Sequence, residues 1–220
     1  MKKILWILIG CFFLGGCGSK PAPEWISASF NQLESYKKNY LRGKERIAEL
    51  NFRKAIEEIK TSGDIQIMEK AYLTKYAVET AALETFDDRE YLRLEALQQT
   101  PEYTHFYHFL KGSFAKVVVN GLPPQYRGVF KAFRNGKQGD IDKEVSAIDD
   151  PLSRLIAAGL MVQQKQDSEI ILNAAIKTAS EQGWKKPLLA HLKRLQLLCE
   201  AKKEREKASS IRQYIELMNE

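Results

Sequence analysis

His105 and His108, in the segment "THFYHF", stand three residues apart and would share one face of a helix, which is one way to begin a metal or haem site. His191 is the only other histidine, Cys199 is remote in sequence, and neither HExxH nor CxxCH occurs, so the pair falls short of a closed ligand set. The competing reading is aromatic packing, because Tyr103, Phe106, Tyr107 and Leu110 form an apolar face that explains the segment without a ligand. Asp87-Asp88 and Asp149-Asp150 offer paired carboxylates for acid–base work, but each pair precedes a helical pattern. There a carboxylate satisfies free backbone N–H groups and the helix dipole. Glu34, in "QLESYKKN", has no catalytic companions around it. No G-x-S-x-G, phosphate-cradling glycine loop or dinucleotide fingerprint is present. The expectation is a chain that is not an enzyme, with no catalytic residue, metal or cofactor.

The remaining reactive group is a thiol. Cys17 lies in "FFLGGCGSK", after a basic start (Met1, Lys2, Lys3), an apolar run over residues 4–14 broken only by Gly10, and the small residues Gly15 and Gly16. Those are the parts of a secretory signal. A spanning helix needs about 20 apolar residues, and this run turns glycine-rich and polar well before that. Cys11, Cys17 and Cys199 give no even framework once a leader is removed, so no disulfide scaffold is expected. Cys199 reads as a small apolar residue on a helix.

Leu14-Gly15-Gly16-Cys17 resembles the lipobox of bacterial lipoproteins. The resemblance implies cleavage between Gly16 and Cys17, a diacylglyceryl group on the Cys17 sulfur, and acylation of the new amino terminus. Two or three acyl chains anchor durably where one is marginal, each buried methylene contributing about 0.8 kcal/mol. Cys11, after Leu8-Ile9-Gly10, is a weaker competing site because a shorter apolar core precedes it. An ordinary signal peptide followed by a free thiol is the other alternative. In the sorting rule of enteric-type lipoproteins an aspartate after the cysteine retains the protein in the inner membrane. Gly18 stands there, which favours the outer membrane with the domain facing the periplasm. The expected organisation is a cleaved signal over 1–16, an acylated cysteine and proline-spaced linker over 17–24, and a helical domain over 25–220. The segment "GSKPAP" spans roughly 20 Å, which keeps the folded part near the bilayer.

With 44% hydrophobic and 28% charged residues, the chain has the composition of a globular domain or short repeat array rather than a disordered one. The formal charge of +6 includes Lys2 and Lys3, and acids alternate with bases along the helices, so nucleic-acid binding is not expected. Apolar residues recur at three and four from Trp25 onward, which predicts an all-α fold of stacked antiparallel helical hairpins, a solenoid or a compact bundle. Ser27 or Ser29 is a candidate cap for the first helix, and Gly43 turns the chain into a second over residues 44–60. Helices are expected over about 65–83, 91–97, from Pro101 to Gly112, and across "QYRGVFKAFRNG" and "DIDKEVSAI". Four of similar length follow, over 151–164, 168–181, 186–201 and 204–218. Val117-Val118-Val119 reads as a helix end or buried connector, because a lone strand has no partner.

Gly43, Ala48, Phe52 and Ala55 resemble the second half of a tetratricopeptide repeat, the glycine allowing the turn and the alanines close helix contact. The first-helix tryptophan and small residue are missing from their usual places, and Lys60 stands where proline is common. A degenerate second unit lies near the end, with Leu192, Leu195 and Ala208 in compatible places but Arg212 at the aromatic position. Generic helical hairpins are the alternative.

Together these observations predict a lipid-anchored envelope protein that docks or assembles another envelope protein, itself unidentified. Its contact elements are expected around Phe52 and over Tyr103, Phe106, Tyr107 and Phe109. The alternative is an envelope enzyme or a small-ligand or metal-binding protein using His105 and His108.

Overall fold

The computed structural model describes residues 23–219. The signal, Gly16, Cys17 and most of the linker lie outside the described residues. Within them the fold is all-α, with eleven helices, two short 3-10 turns and no strand. No described helix is long and apolar enough to cross a membrane.

The first hairpin pairs α1 (Glu24–Leu41) with α2 (Glu45–Lys60), and Gly43 supplies the left-handed turn between them at φ 80°. The expected serine caps are displaced. The first helix begins directly after Pro23, and the Ser27 and Ser29 hydroxyls donate to the carbonyls of Glu24 and Ile26 inside it. Next comes α3 (Ile65–Ala81), capped by Asp64, whose Oδ1 accepts from the Ile67 N–H at 2.9 Å. It stops short of the predicted residue 83 because Leu83 adopts φ 59° and the Glu84 N–H returns to the Glu79 carbonyl.

The chain continues through α4 (Arg89–Leu97) and α5 (Pro101–Leu110) into the valine run. That run is a connector, with 3-10 turns at Phe114–Lys116 and Val119–Gly121, Val117 buried and Val118 exposed. Then follow α6 (Pro124–Asn135), α7 (Gln138–Ser146), α8 (Pro151–Gln163), α9 (Glu169–Glu181), α10 (Lys185–Ala201) and α11 (Arg205–Leu217). Asp150 and Ser168 cap α8 and α9 through the N–H groups of Ser153 and Ile171. Asp88 stands at the start of α4 but caps it with no side-chain bond. Its carboxylate instead accepts from the Tyr107 hydroxyl and Lys111, while Asp87 takes the Arg89 backbone N–H and guanidinium. Neither acidic pair is therefore a free carboxylate couple.

The core is organised around α3. One cluster packs Tyr36, Leu41, Phe52 and Ile59 of the first hairpin against Ala71 and Val78 of α3 and Ala82 just after it. A larger one joins Leu73, Tyr76, Ala77 and Ala81 of α3 to α5 through α10, with residues such as Phe109, Phe130, Leu155 and Leu160. Burial of each large side chain contributes about 1.5–3 kcal/mol. A third, smaller cluster of Leu172, Leu195, Cys199 and Ala208 holds α9, α10 and α11. Cys199 is thus the buried apolar residue expected. The crossing of α3 and α8 is close: Gly159 lies so near Thr80 that a Cβ there would overlap the Thr80 carbonyl oxygen.

The start of α10 closes onto the first hairpin. Lys186, only 12% exposed, pairs with Glu84 at 2.8 Å and with Glu45, and its ammonium lies 4.1 Å from the Tyr40 ring centroid. One turn on, the wholly buried His191 presents Nε2 to the Ala81 carbonyl at 3.2 Å, so Nε2–H is the donor.

Burial pushes the His191 pKa down to about 4, with the Ala81 bond opposing it. The unfolded chain, with a histidine near 6.5, binds the proton first, so His191's contribution is full above about pH 6.5 and is lost as pH falls toward 4. The shift corresponds to about 3 kcal/mol at most. Urea unfolding of wild type and His191→Gln over that range should show the wild type losing stability more steeply on acidification. Parallel slopes would contradict this account.

Candidate functional site

The sequence-selected aromatics separate once folded. Phe109 is fully buried among Phe114, Tyr126 and Phe130, and Tyr107 is buried, stacked on Tyr91. Both are core residues, which corrects their expected place on a contact surface: α5 is covered on that face by α6 and by α4. Phe52, only 4% exposed, belongs to the first-hairpin core, between Tyr36 and Tyr72. Tyr103 and Phe106, on the other face of α5, remain half-buried.

Tyr103 and Phe106 line a groove of about 560 Å³. Its second wall is the Leu73, Ala77 and Val78 side of α3, and its ends are formed by Leu122-Pro123-Pro124 and by Leu152 of α8. Each element has a local reason to be there. Pro101 starts α5 in the register that turns Tyr103 and Phe106 the same way. Pro123 and Pro124 begin α6 and leave a rigid, apolar lip. The ring of Phe106 is stacked on Tyr126 with centroids 5.7 Å apart, which holds it at the wall.

Charge around this groove is one-sided. Lys37, Lys70 and Arg127 face it, against the single acid Glu102. Lys37 is held by Glu34 at 2.6 Å, whereas Lys70 and Arg127 have no carboxylate partner among the described residues. Arg127 is nonetheless fixed, because Nε donates to the Leu122 carbonyl at 2.8 Å and Nη2 to the Asn120 carbonyl at 3.1 Å. The site is therefore an apolar trough with a positioned guanidinium and a free ammonium at its rim. Those are the parts needed to hold an apolar segment flanked by carboxylates. Lys70, Arg127 and the proline lip carry no sequence signal for this role, since nothing in their spacing tells that α3, α5 and α6 meet.

The histidine pair does not assemble a ligand set. The His105 ring lies against Gly121, where a Cβ would overlap it, and its Nδ1 is buried without a partner. His108 is half-buried beside Tyr107, and burial, followed by the Lys116 ammonium, holds its imidazole below the usual range. Glu34 is engaged by Lys37. The ligand atoms that do converge among the described residues are those of Glu169, Cys199 and Glu204, within 4.8 Å of one another. Lys202 and Lys207 already bond Glu169, and burial pushes the Cys199 thiol up, so two ammonium groups stand in the cation's place. Glu69 is a further group that the sequence did not mark: it is wholly buried, accepts from the Thr100 hydroxyl at 2.9 Å, and is pushed up by burial.

No protein-family profile, curated protein or solved structure gave a match to this chain.

Gly121, which lines the groove, is packed against the His105 ring. Gly121→Val should displace the ring or the connector and cost about 1–3 kcal/mol. Chemical denaturation checks this, and an unchanged midpoint would show that the connector is free to move.

Proposed function

We propose that this chain is a lipid-anchored envelope lipoprotein, held by an acylated Cys17 at the outer membrane and facing the periplasm, and that it works as a docking adaptor rather than an enzyme. The observation that carries the adaptor reading is the groove between α3, α5 and α6, with half-buried Tyr103 and Phe106 and the unpaired Lys70 and Arg127 at its rim. Its occupant is a segment of another envelope protein with apolar side chains for the trough and carboxylates for the rim. The Leu14-Gly15-Gly16-Cys17 motif supports the anchoring, and the brief linker after it keeps the groove within reach of membrane-bound partners. The tetratricopeptide-like spacing of Gly43, Ala48, Phe52 and Ala55 agrees with an adaptor, since hairpins of that kind present grooves.

Two measurements test the reading. Cys17→Ser should lose fatty-acid labelling and accumulate as a larger, uncleaved precursor, whereas normal processing would contradict the anchoring. A photoreactive phenylalanine analogue in place of Tyr103 should give a discrete adduct in intact cells, reduced severalfold by Lys70→Glu together with Arg127→Glu. Adducts indifferent to those charge reversals would contradict the docking site.

A further inference from the structure

The opposite face of α3 carries a second cleft, of about 480 Å³, between α2, α3 and the start of α4. Nine charged side chains line it, and seven are already in ion pairs. Glu49 holds Lys75, Glu57 holds Lys60, Asp87 holds Arg89, and Glu90 holds Arg93 just outside. The two without an ionic partner among the described residues have opposite signs: Glu79 on α3 and Arg53 on α2. Glu79 keeps Oε2 buried with no hydrogen-bond partner. A buried acceptor left open is costly, and burial accordingly pushes the Glu79 pKa up to about 7. The hydroxyl of Tyr36, wholly buried on the neighbouring α1, is likewise without a partner.

Between these two charges the walls are aromatic. Phe52 and Tyr72 meet edge to face at 5.4 Å, and Tyr76 lies 6.3 Å beyond Tyr72. The Lys75 ammonium already lies 4.7 Å from the Phe52 ring centroid, so this wall accepts an alkylammonium group. A bare metal ion fits poorly, because a single unpaired carboxylate cannot supply a coordination shell.

We propose that this cleft binds an aliphatic zwitterion, with its ammonium on Glu79, its carboxylate on Arg53, and its methylene chain along Phe52, Tyr72 and Tyr76. The ligand class is an ω-amino acid, free or as a lysine side chain whose own carboxylate is exposed. Binding completes the two ion pairs that the cleft leaves open, each a charge-assisted contact, and the one on Glu79 is partly desolvated. This inference stands apart from the docking groove, which uses the other face of α3.

The probes are 6-aminohexanoate, hexylamine and hexanoate, titrated against the purified protein while the tyrosine ring resonances are followed by NMR. Wild type should bind 6-aminohexanoate at least about tenfold more tightly than either single-charge analogue, the change expected from losing one charge-assisted contact. Glu79→Gln should abolish that preference over hexanoate, and Arg53→Gln the preference over hexylamine. Glu79→Gln removes an unpaired buried charge and Arg53 is exposed, so both variants should fold, as their ring resonances would show. Free lysine binding as well as a peptide ending in lysine would identify the side chain with its carboxylate as sufficient; peptide-only binding would overturn the free-ligand class.

Affinity should also rise severalfold between about pH 6 and pH 8, as Glu79 ionises. The groups around Glu79 are Lys75 on its own helix, Glu84 after it, Glu49 on α2, Lys186 on α10 and the Tyr36 hydroxyl on α1. The cations are held in ion pairs, which leaves Glu79 as the titrating group. Equal binding of all three probes, no shift of the Tyr72 and Tyr76 resonances, or an unchanged preference in Glu79→Gln would overturn the proposal.

Discussion

Everything in this fold turns on how closely α8 can approach α3. At their crossing the two helices meet through Gly159 and the Thr80 carbonyl, with Ala77, Ala81 and Ala158 buried around them. Small residues let backbones approach, and close backbones bring long stretches of side chain into dispersion contact. The Thr80 hydroxyl is turned back onto its own helix, donating to the Tyr76 carbonyl at 2.8 Å, so it leaves no polar group facing α8 unsatisfied. With α3 pinned on this side, the first hairpin covers another side and α5 a third.

A helix so enclosed becomes a partition. Residues Leu73 and Ala77 belong to the apolar trough closed by α5 and α6, while Tyr72, Tyr76 and Glu79 face the charged cleft shared with α2. The two hollows have different chemistry because their second walls differ: α5 and the proline lip bring rings and aliphatic surface, whereas α2 brings acids and bases in pairs. Lys186 keeps the partition upright from its far end, tying α10 to Glu45 and Glu84 and lying against the Tyr40 ring. His191 adds a neutral contact to the last turn of α3.

The helical class and most helix starts were legible because their causes are local. Pro101, Pro151, Asp64, Asp150 and Ser168 start helices by fixing φ or accepting a backbone N–H, and a sequence displays such residues directly. One helix end was less legible: after α3 the left-handed turn is taken by Leu83 rather than by a glycine, and the helix stops at Ala81. The site was harder to read still. An aromatic run on a helix has a face toward the core and a face away from it, and only the positions of α4 and α6 decide that Phe109 and Tyr107 go inward while Tyr103 and Phe106 line a groove. Glu79 gave no sign at all, since its isolation arises from which lysines its neighbours have already taken. Gly159 was equally silent, because a glycine inside a helical pattern does not say which backbone it meets.

The most direct test of the α3–α8 crossing is urea unfolding of Gly159→Val in a Trp25→Phe background, followed by the fluorescence of Trp184, which packs on both main core clusters. A side chain at 159 has backbone rather than a movable side chain to displace. Gly159→Val should lose about 3 kcal/mol of stability with one cooperative transition retained. An unfolding midpoint equal to that of the wild type would show that α3 and α8 are free to separate, and the partition on which both hollows depend would not exist.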